Sequence, residues 1–496
     1  MILHIDGDIN RYYVQTLSMI FFPGATFAPD EESGEDVPEL YLTLKRSENG
    51  YVATTRVTLN GKSTEAEREC ELRDDLSDER CRKVAVGASV TTALGELLEY
   101  RSSWGILTGV RPTKVATEML LRGISKTKTK RLLVQDYLVS AKKAALATEV
   151  ALNEQRIIGT PETRDCSIYV SIPFCPSRCA YCSFVSYTSK KLLSLIPEYV
   201  HRLAVEVKEA IAAADRCGLR IKTVYIGGGT PSILEPELLE VLMSSLAEAL
   251  GDREIEEFTF EAGRPDTITA EKLAIAKKYG ANRISVNPQT LSAEVLSSIG
   301  RSHTVEDFYR AYSTAREVGI DCINTDLIAG LPGDTFTRFA ESMDGILALR
   351  PENITVHTFC VKKSATWRHS AGIYSIRGGD AGKCVDYSQI KAQQALYKPY
   401  YLYRQKNTVG NYENVGFALD GKEGRYNIYM MEEVHSIIAV GAGAVSKFVC
   451  LKSPTTGKPT IKRQFNAKYP YEYLKAESIP ALVSSMEAFC EEFLDN

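Results

Sequence analysis

Between about residue 164 and residue 360, short apolar runs alternate with longer runs that have the hydrophobic periodicity of helices. The apolar runs are CSIYVSI, IKTVYIGGG, EEFTFEAG, RISVNPQ, CINTDLIAG and NITVHTFCV. Strand–helix alternation of this kind predicts a parallel sheet with helical crossovers. About six units fit, fewer than the eight of a closed barrel. We therefore expect an α/β fold built on an open, partial (βα)6 barrel.

Different patterns flank this region. Residues 39–61 form two alternating runs around an Asn-Gly pair, which predicts a β-hairpin, and residues from about 86 to 155 have helical periodicity. After about residue 376 the alternation ends, and the pattern is that of a mainly helical segment with one short hairpin. We predict three domains: an N-terminal α+β accessory module at 1–160, the partial barrel at 161–375, and a mainly helical C-terminal domain at 376–496.

Composition and charge narrow the class of protein. Hydrophobic residues make up 44% of the chain, charged residues 25%, and the net charge is -4, values of an ordinary globular protein. A large basic block is absent from the sequence, which argues against a dedicated nucleic-acid binder. The sequence has no apolar run of membrane-spanning length, and its first residues lack the features of a signal peptide. We expect a cytoplasmic protein without a membrane span or a nucleic-acid partner.

Three of the chain's 12 cysteines, Cys175, Cys179 and Cys182, lie within one short segment, SIPFCPSRCAYCSF. Pro173 and Pro176 beside the first cysteine favour a wrapped loop over a helix. Structural zinc sites and electron-transfer [4Fe-4S] clusters both use four protein ligands, and the segment contains no fourth cysteine. Three cysteines leave one iron of a cluster open to a substrate or cofactor, which is a catalytic arrangement.

The segment CPSRCAYC has the CxxxCxxC pattern and resembles the radical S-adenosylmethionine (SAM) enzymes. In that family, the amino and carboxylate groups of SAM bind the open iron, and the reduced cluster cleaves SAM to methionine and a 5′-deoxyadenosyl radical. YIGGGTPS resembles the family's glycine motif. The segments SIYVSIPFC, FTFEAGRPDT, NRISVNPQTL, IGRSHT and NTDLIAGLPGDT resemble the coproporphyrinogen oxidase (HemN-like) branch. GVRPTK and YYLYRQKNTVGNYENVG resemble the HemZ group of that branch.

The resemblance implies two cofactors and a set of residues that bind them. It assigns the [4Fe-4S] cluster to Cys175, Cys179 and Cys182. It places Tyr169 at the amino-acid part of SAM, Tyr181 against the adenine, and the backbone of Cys360 beside the adenine. The remaining residues implied in SAM binding are Gly228, Gly229, Thr230, Glu261, Gln289, Arg301 and Asp326. Arg301 suits a carboxylate because its guanidinium binds in a bidentate manner.

Further segments suggest contacts at the mouth of the predicted site. VGAGAVSK, at 440–447, resembles the glycine-rich segment with which HemN-like tails close over the active site, and the alternative is a small-residue junction. Arg111 is either an anion contact or part of a plain loop. Four cations are candidates to hold propionate carboxylates, each with a solvated side chain as the alternative: Lys362, Lys363, Arg404 and Lys406.

The resemblance implies an oxygen-independent coproporphyrinogen III oxidase, with a tetrapyrrole substrate and a flavodoxin or ferredoxin-type electron donor. Two positions depart from the established oxidases, which have cysteine where this chain has Phe184 and histidine where it has Ser171. HemW, a haem-trafficking relative, shares the phenylalanine but carries an HNxxYW haem-binding motif that this tail lacks. Two alternatives therefore stay open: a HemW-type haem-binding or haem-delivery protein, and a radical SAM enzyme acting on another tetrapyrrole, such as in anaerobic haem breakdown.

Overall fold

The computed structural model describes residues 1–27, 34, 36–182, 186–360, 378–405, 408–475 and 477–495. Numbered along the chain, the strands are β1 (Ile2–Asp6), β2 (Glu39–Arg46), β3 (Gly50–Leu59), β4 (Lys62–Glu71), β5 (Asp165–Ile172), β6 (Arg220–Gly228), β7 (Glu257–Gly263), β8 (Arg283–Val286), β9 (Cys322–Ala329), β10 (Asn353–Thr358), β11 (Lys398–Tyr403), β12 (Asn414–Ala418), β13 (Ser436–Val440), β14 (Val445–Cys450) and β15 (Thr460–Phe465).

The helices follow the same numbering along the chain. They are α1 (Arg11–Phe21), α2 (Asp78–Leu98), α3 (Thr113–Leu121), α4 (Lys126–Gln135), α5 (Ala141–Ile158), α6 (Lys190–Leu193), α7 (Ile196–Arg216), α8 (Pro236–Leu250), α9 (Ala270–Lys278), α10 (Ala293–Ser298), α11 (Val305–Val318), α12 (Phe336–Leu349), α13 (Ala381–Gln394), α14 (Arg425–Glu432), α15 (Pro470–Tyr473) and α16 (Ser478–Phe493). Among these described helices, none is both long and apolar enough to cross a bilayer.

The centre of the molecule is a run of six parallel strands, β5 to β10, which lie side by side in chain order. A helical crossover connects each strand to the next, with α7, α8, α9, α11 and α12 as the longest helices. The strands β8 and β9 are buried along nearly their whole length, as expected for parallel strands covered by helices. The predicted α/β architecture with six strand–helix units is confirmed.

Local sequence signals set the ends of the crossover helices. At the start of α11, the Thr304 side chain accepts from the backbone of Asp307, and the Asp307 carboxylate accepts from the backbone of Thr304. This capping box satisfies backbone donors that a helix leaves unpaired at its N-terminus. Gly319 ends the same helix in the left-handed conformation, with φ of 79°, which costs glycine no side-chain clash. The capping box and Gly319 together define the two ends of α11.

The carboxyl-terminal part of the chain contributes strands to both sides of this sheet. On one side, β13 pairs parallel to β5, and β14 and β15 continue the sheet in antiparallel pairing. On the other side, β12 pairs antiparallel to β10, and β11 pairs antiparallel to β12. The prediction of one short hairpin in a mainly helical tail was wrong about the strands, since five strands of the tail extend the barrel sheet. Their place in the barrel sheet was missed because β13 and β12 join it through β5 and β10, which lie far away in the sequence.

The amino-terminal part forms a separate four-stranded sheet in the order β1-β2-β3-β4. The predicted hairpin is confirmed, since β2 and β3 pair antiparallel from Glu39↔Thr58 to Arg46↔Tyr51. The helix α2 packs on β3 and β4. Inside this interface the buried Ser89 hydroxyl lies 2.7 Å from the Thr55 hydroxyl.

The helices α3 to α5 connect the amino-terminal sheet to the barrel, and α5 packs against β11. The Nζ of Lys143 lies 2.6 Å from an oxygen of Glu413, and both side chains are buried. Trp104 donates its indole N–H to the same carboxylate at 2.7 Å. One continuous hydrophobic core runs from this part of the chain into the barrel. The boundaries of the three predicted domains stay a prediction.

Candidate active site

A cavity of about 920 Å³ occupies the inside of the barrel. The side chains at its wall come from the parallel strands, from the loops at their carboxyl ends and from the tail strands. The structure brings together every residue that the sequence implied in cofactor binding: Cys175, Cys179, Cys182, Tyr169, Tyr181, Gly228, Gly229, Thr230, Glu261, Gln289, Arg301, Asp326 and Cys360. Enzymes with parallel sheets build their active sites at the carboxyl ends of the strands.

The three cysteines lie on an irregular loop that directly follows β5, as the prolines predicted. Two backbone hydrogen bonds tie the loop to its own return, Cys175 N to Tyr187 O at 3.1 Å and Tyr187 N to Pro173 O at 2.9 Å. Cys175 is buried, and Cys179 and Cys182 are partly exposed. The loop therefore presents three thiols to one end of the cavity.

Two side chains lie against the sulfur atoms of this loop, Thr230 and Arg264. The Cys175 sulfur lies 3.2 Å from the Thr230 hydroxyl; burial raises the pKa of this thiol, and the hydrogen bond to Thr230 opposes that effect. The Nη1 of Arg264 lies 4.0 Å from the Cys179 sulfur, and Asp266 holds the same guanidinium at 2.9 Å. The positive charge of Arg264 therefore lies beside the predicted cluster site, which suits an anionic iron–sulfur cluster held by thiolates.

No three His, Cys, Asp or Glu side chains within the described ranges are grouped as ligands for a single metal ion. The structure likewise contains no disulfide among the residues it describes. The assignment of Cys175, Cys179 and Cys182 as ligands of a [4Fe-4S] cluster stays a prediction, supported by their position on one loop at one cavity wall.

The glycine motif at the end of β6 holds the cysteine loop. Gly229 N donates to Ile172 O at 2.7 Å, and Thr230 N donates to Phe174 O at 2.8 Å. A Cβ atom added to Gly229 would lie 2.5 Å from Phe174 O and 3.0 Å from the Cys175 sulfur. The resemblance gives one reason for this glycine, a role in SAM binding. The structure adds a second reason, because the cysteine loop itself passes too close for a side chain.

An acidic pair occupies the middle of the cavity wall. Tyr225 donates its hydroxyl to Glu261 at 3.1 Å, and Asn324 donates to Asp326 at 2.8 Å. Burial, together with the nearby charge of Asp326, raises the pKa of Glu261 to about 8. A carboxyl with a pKa near 8 is mostly neutral at pH 7 unless a cation or a strong hydrogen-bond donor approaches it.

Arg301 lies close to the cysteine loop. Its Nε donates to the Tyr181 hydroxyl at 3.2 Å, and its Nη1 is buried without a hydrogen-bond partner among the described residues. Tyr181 packs against an apolar cluster that contains Ile328 and Phe359. A buried guanidinium nitrogen without an acceptor is costly, which suits a site that an anionic group fills.

Backbone geometry places the other predicted residues. Gln289 has φ of 68°, and its backbone bonds to Asp326 O and Ile328 N bridge the loop after β8 to β9. Cys360 pairs in a short antiparallel bridge with Thr408. Tyr169 stacks on Tyr225 with ring centroids 6.1 Å apart. Their roles towards SAM stay predictions.

The segment at 440–447 lines the cavity, as its resemblance implied, through Ala442, Gly443, Ala444, Val445 and Lys447. The buried Glu206 fixes its start by accepting from Gly441 N at 2.8 Å. The Ser171 hydroxyl donates to Ala442 O at 3.1 Å. The serine that replaces a histidine of the established oxidases is therefore a cavity residue that binds this segment.

The expectation for Arg404 was wrong. Its side chain is neither solvated nor at the cavity wall, because it is buried and bonds to Leu107 O and the Asn411 side chain. Arg111 lies in a loop, as one of its two alternatives predicted, and its Nη2 lies 2.8 Å from Glu433, a carboxylate of the protein itself. Four further residues lie outside the described residues. They are the predicted cations Lys362, Lys363 and Lys406, and Phe184, which stands where the established oxidases have a cysteine.

Several cavity residues were missed by the sequence reasoning. His357 Nε2 lies 3.6 Å from Asp326, and its Nδ1 lies 3.3 Å from the Tyr403 hydroxyl. Tyr426 stacks on Tyr225 at 4.7 Å. Two cations of the tail hairpin also face the cavity, Lys447 and Arg463. His357 had a sequence signal, since it lies on a predicted strand two residues beyond Thr355; the tail residues had none.

Comparison with known proteins agrees with this geometry. The Radical SAM superfamily model matches residues 169–346. The oxygen-independent coproporphyrinogen-III oxidase-like protein HemZ of Bacillus subtilis (strain 168) is 34% identical over 470 residues, which cover 93% of this chain and 92% of that protein. The heme chaperone HemW of the same organism is 32% identical over 56% of this chain and 70% of its own length.

A third relative is the anaerobic coproporphyrinogen III oxidase 1 of Cereibacter sphaeroides (strain ATCC 17023), which is 26% identical over 57% of this chain and 62% of its own length. The fold and the site define a radical SAM protein. Within that class, the chain belongs to the HemN-like family. The predicted resemblance is confirmed, and members of this superfamily use a [4Fe-4S] cluster and SAM, the two cofactors predicted here.

Proposed function

We propose that this protein is an oxygen-independent coproporphyrinogen III oxidase, which converts two propionate side chains of coproporphyrinogen III to vinyl groups and forms protoporphyrinogen IX. One observation carries the proposal. A chain that is 34% identical to an oxidase-like relative over 93% of its length has all its implied cofactor residues on a single cavity. The cavity volume of about 920 Å³ lies near the top of the ~300–1,000 Å³ range of ligand pockets, which suits a large substrate beside SAM.

Cys175, Cys179 and Cys182 would hold the cluster, and Arg301, Glu261 and Asp326 would contact SAM. When bound, these cofactors supply a group that takes a hydrogen atom from the substrate. Two observations support the fit. The Nη1 of Arg301 is buried and has no acceptor among the residues that the structure describes, which suits a carboxylate. Glu261 is half-buried, and among the described residues the Tyr225 hydroxyl is its one hydrogen-bond donor, which leaves it able to accept from a ribose hydroxyl.

The reaction balances at each propionate. The side chain loses a hydrogen atom from its β-carbon, then CO₂ and one electron, and becomes a vinyl group. The hydrogen atom leaves as part of 5′-deoxyadenosine, and the electron passes to an acceptor. Cleavage of SAM consumes one electron from a donor, for which we propose a flavodoxin or ferredoxin-type protein. One electron enters and one leaves for each vinyl group formed.

The protein contributes shape and polarity to this chemistry. Tyr169, Tyr225 and Tyr426 form a stacked set at the cavity wall, and aromatic faces suit pyrrole rings. His357 lies between Asp326 and Tyr403 and supplies a hydrogen-bonding group beside the substrate.

A second candidate is haem delivery, which is favoured by the HemW relative at 32% identity. That match covers 56% of this chain, whereas the oxidase-like relative covers 93%. A third candidate, a radical SAM reaction on another tetrapyrrole, uses the same cavity. The oxidase is preferred because the longer match also includes the amino-terminal module.

An anaerobic turnover experiment separates the three functions. Reconstituted protein is incubated with SAM, a reductant and coproporphyrinogen III, and the products are identified by mass. We expect loss of two CO₂ per substrate molecule together with formation of 5′-deoxyadenosine. Cleavage of SAM with unchanged coproporphyrinogen would reject the oxidase and favour another tetrapyrrole. Stoichiometric haem binding without SAM cleavage would favour the carrier.

A further inference from the structure

Two cations face each other across the tail hairpin at the cavity wall. Lys447 on β14 and Arg463 on β15 are directly opposite in the antiparallel register, and both line the cavity. Like charges at directly opposite positions of a sheet destabilise it. Such a pair is unfavourable for folding alone, so its presence at a cavity wall calls for an anion between the two side chains.

The neighbouring carboxylates neutralise only part of the charge of this pair, and Lys447 Nζ also donates to Met430 O at 3.0 Å. Lys447 Nζ lies 3.5 Å from Glu433, and Arg111 binds the same carboxylate more closely, at 2.8 Å. Glu432 lies 3.9 Å from Arg111. No ion pair of Arg463 is recorded in the part of the chain that the structure describes. Burial lowers the pKa of Lys447, and the charges of Arg463 and Arg111 add to that effect while Glu433 opposes it.

The pair lies at the end of the cavity far from the cysteines. Lys447 is opposite Ile437 on β13, and Ile437 is level with Ser167 on β5. The cysteine loop starts after Ile172, five residues further along β5. At about 3.3 Å per residue, the two levels are ~16 Å apart along the strand. The long side chains of the two cations shorten the distance that a bound molecule has to span.

We propose that Lys447 and Arg463 form a subsite for a carboxylate of the tetrapyrrole substrate, remote from the propionate that reacts. The inference rests on the proposed function, since it assumes that a tetrapyrrole occupies the cavity. A macrocycle carries carboxylates around its rim, so one reacts near the cysteine loop while another is bound at the far end. Lysine offers a point charge and arginine a planar fork, and together they hold one carboxylate in a fixed orientation.

The subsite gives the amino-terminal module a part in substrate binding. Arg111 also donates to Met431 O at 2.9 Å, and Met431 lines the cavity. By binding Glu433, Arg111 reduces the competition of that carboxylate for Lys447. Arg111 thus acts as a positioning residue for the subsite and has no direct contact with the substrate.

The test uses reconstituted protein with SAM under anaerobic conditions and coproporphyrin III as a stable, fluorescent probe with four carboxylates. We expect Lys447→Gln and Arg463→Gln each to weaken binding about tenfold, because a charge-assisted hydrogen bond is lost. Lys447→Arg should retain most of the affinity. Lys462→Gln is the matched control, since Lys462 is adjacent on β15, carries the same charge and pairs with Glu492 at 2.6 Å outside the cavity.

The tetramethyl ester of the same porphyrin provides the second arm, because it lacks the anionic groups. We expect it to bind wild type, Arg463→Gln and Lys462→Gln equally. If Arg463→Gln binds coproporphyrin as tightly as Lys462→Gln does, the subsite is wrong while the proposed function stands. If wild-type protein binds neither porphyrin and leaves coproporphyrinogen III unchanged, the proposed function itself is rejected. Arg463 is exposed, so its substitution tests the subsite even where Lys447→Gln fails to fold.

Discussion

The hydroxyl of Thr230 lies 3.2 Å from the sulfur of Cys175. Thr230 belongs to the glycine motif at the end of β6, and Cys175 is the first cysteine of the loop after β5. The two motifs with the strongest signals in the sequence are therefore in direct contact. The glycine motif holds the cysteine loop through its backbone, and its Thr230 hydroxyl contacts the sulfur that is predicted to bind iron.

Substitution of Thr230 tests this contact. Hydrogen bonds to cluster sulfurs stabilise the reduced, more negative state and so raise the reduction potential. We expect Thr230→Val to shift the midpoint potential of the reconstituted cluster to a more negative value, measured by redox titration with electron paramagnetic resonance. Thr230→Ser keeps the hydroxyl and should keep the potential. Equal potentials in the valine and serine variants would contradict the contact.

Gly229→Ala tests the packing of the cysteine loop. The added methyl group would lie 2.5 Å from Phe174 O, and overpacking of this kind costs about 1–3 kcal/mol. We expect the loop to shift and the iron content after reconstitution to fall well below that of wild type. Gly109→Ala is the control, because its nearest atom would lie 4.0 Å away. Full iron loading of the Gly229 variant would show that the loop tolerates the side chain.

The raised pKa of Glu261 predicts a proton linkage. With a pKa of about 8, the carboxyl is mostly neutral at pH 7, and the positive charge of the SAM sulfonium favours the ionised form. Binding of SAM should therefore release about one proton at pH 7, and its affinity should rise with pH up to about 8. Calorimetry in buffers of different ionisation enthalpy measures the release. Glu261→Gln should release less; an unchanged release would reject this carboxyl as its source.

The buried pair of Lys143 and Glu413 predicts how firmly the amino-terminal module is held. Lys143→Met leaves a buried carboxylate without its cation, which costs about 3–5 kcal/mol. Lys142→Met is the matched control, because its side chain is 70% exposed and pairs with Asp386 at the surface. We expect the control to change stability by no more than about 0.5 kcal/mol. Similar unfolding curves for the two variants would contradict the role of the buried pair.

The barrel was readable from the sequence because its signals are local. The strand ending at Ile172 and the strand ending at Gly228 each precede their own motif, and pairing in chain order brings the motif residues together. The thirteen implied residues line one cavity because parallel strands place their carboxyl ends at the same edge.

The tail was not readable in the same way. β13 lies next to β5, although some 270 residues separate the paired Ser436 and Cys166 along the chain, and no local pattern reports such a pairing. Lys447 and Arg463 reach the cavity only through it. Arg404 was misassigned for the same reason, since its partner Leu107 belongs to the amino-terminal module and hydrophobic periodicity does not predict long-range contacts.

The most direct test of the central claim follows a hydrogen atom. Coproporphyrinogen III with deuterium at the propionate β-carbons is given to the reconstituted, reduced protein with SAM, and the 5′-deoxyadenosine is analysed by mass spectrometry. The proposed oxidase transfers one deuterium into each molecule of 5′-deoxyadenosine as a vinyl group forms. Formation of 5′-deoxyadenosine without deuterium, from a protein that binds the porphyrinogen, would contradict it.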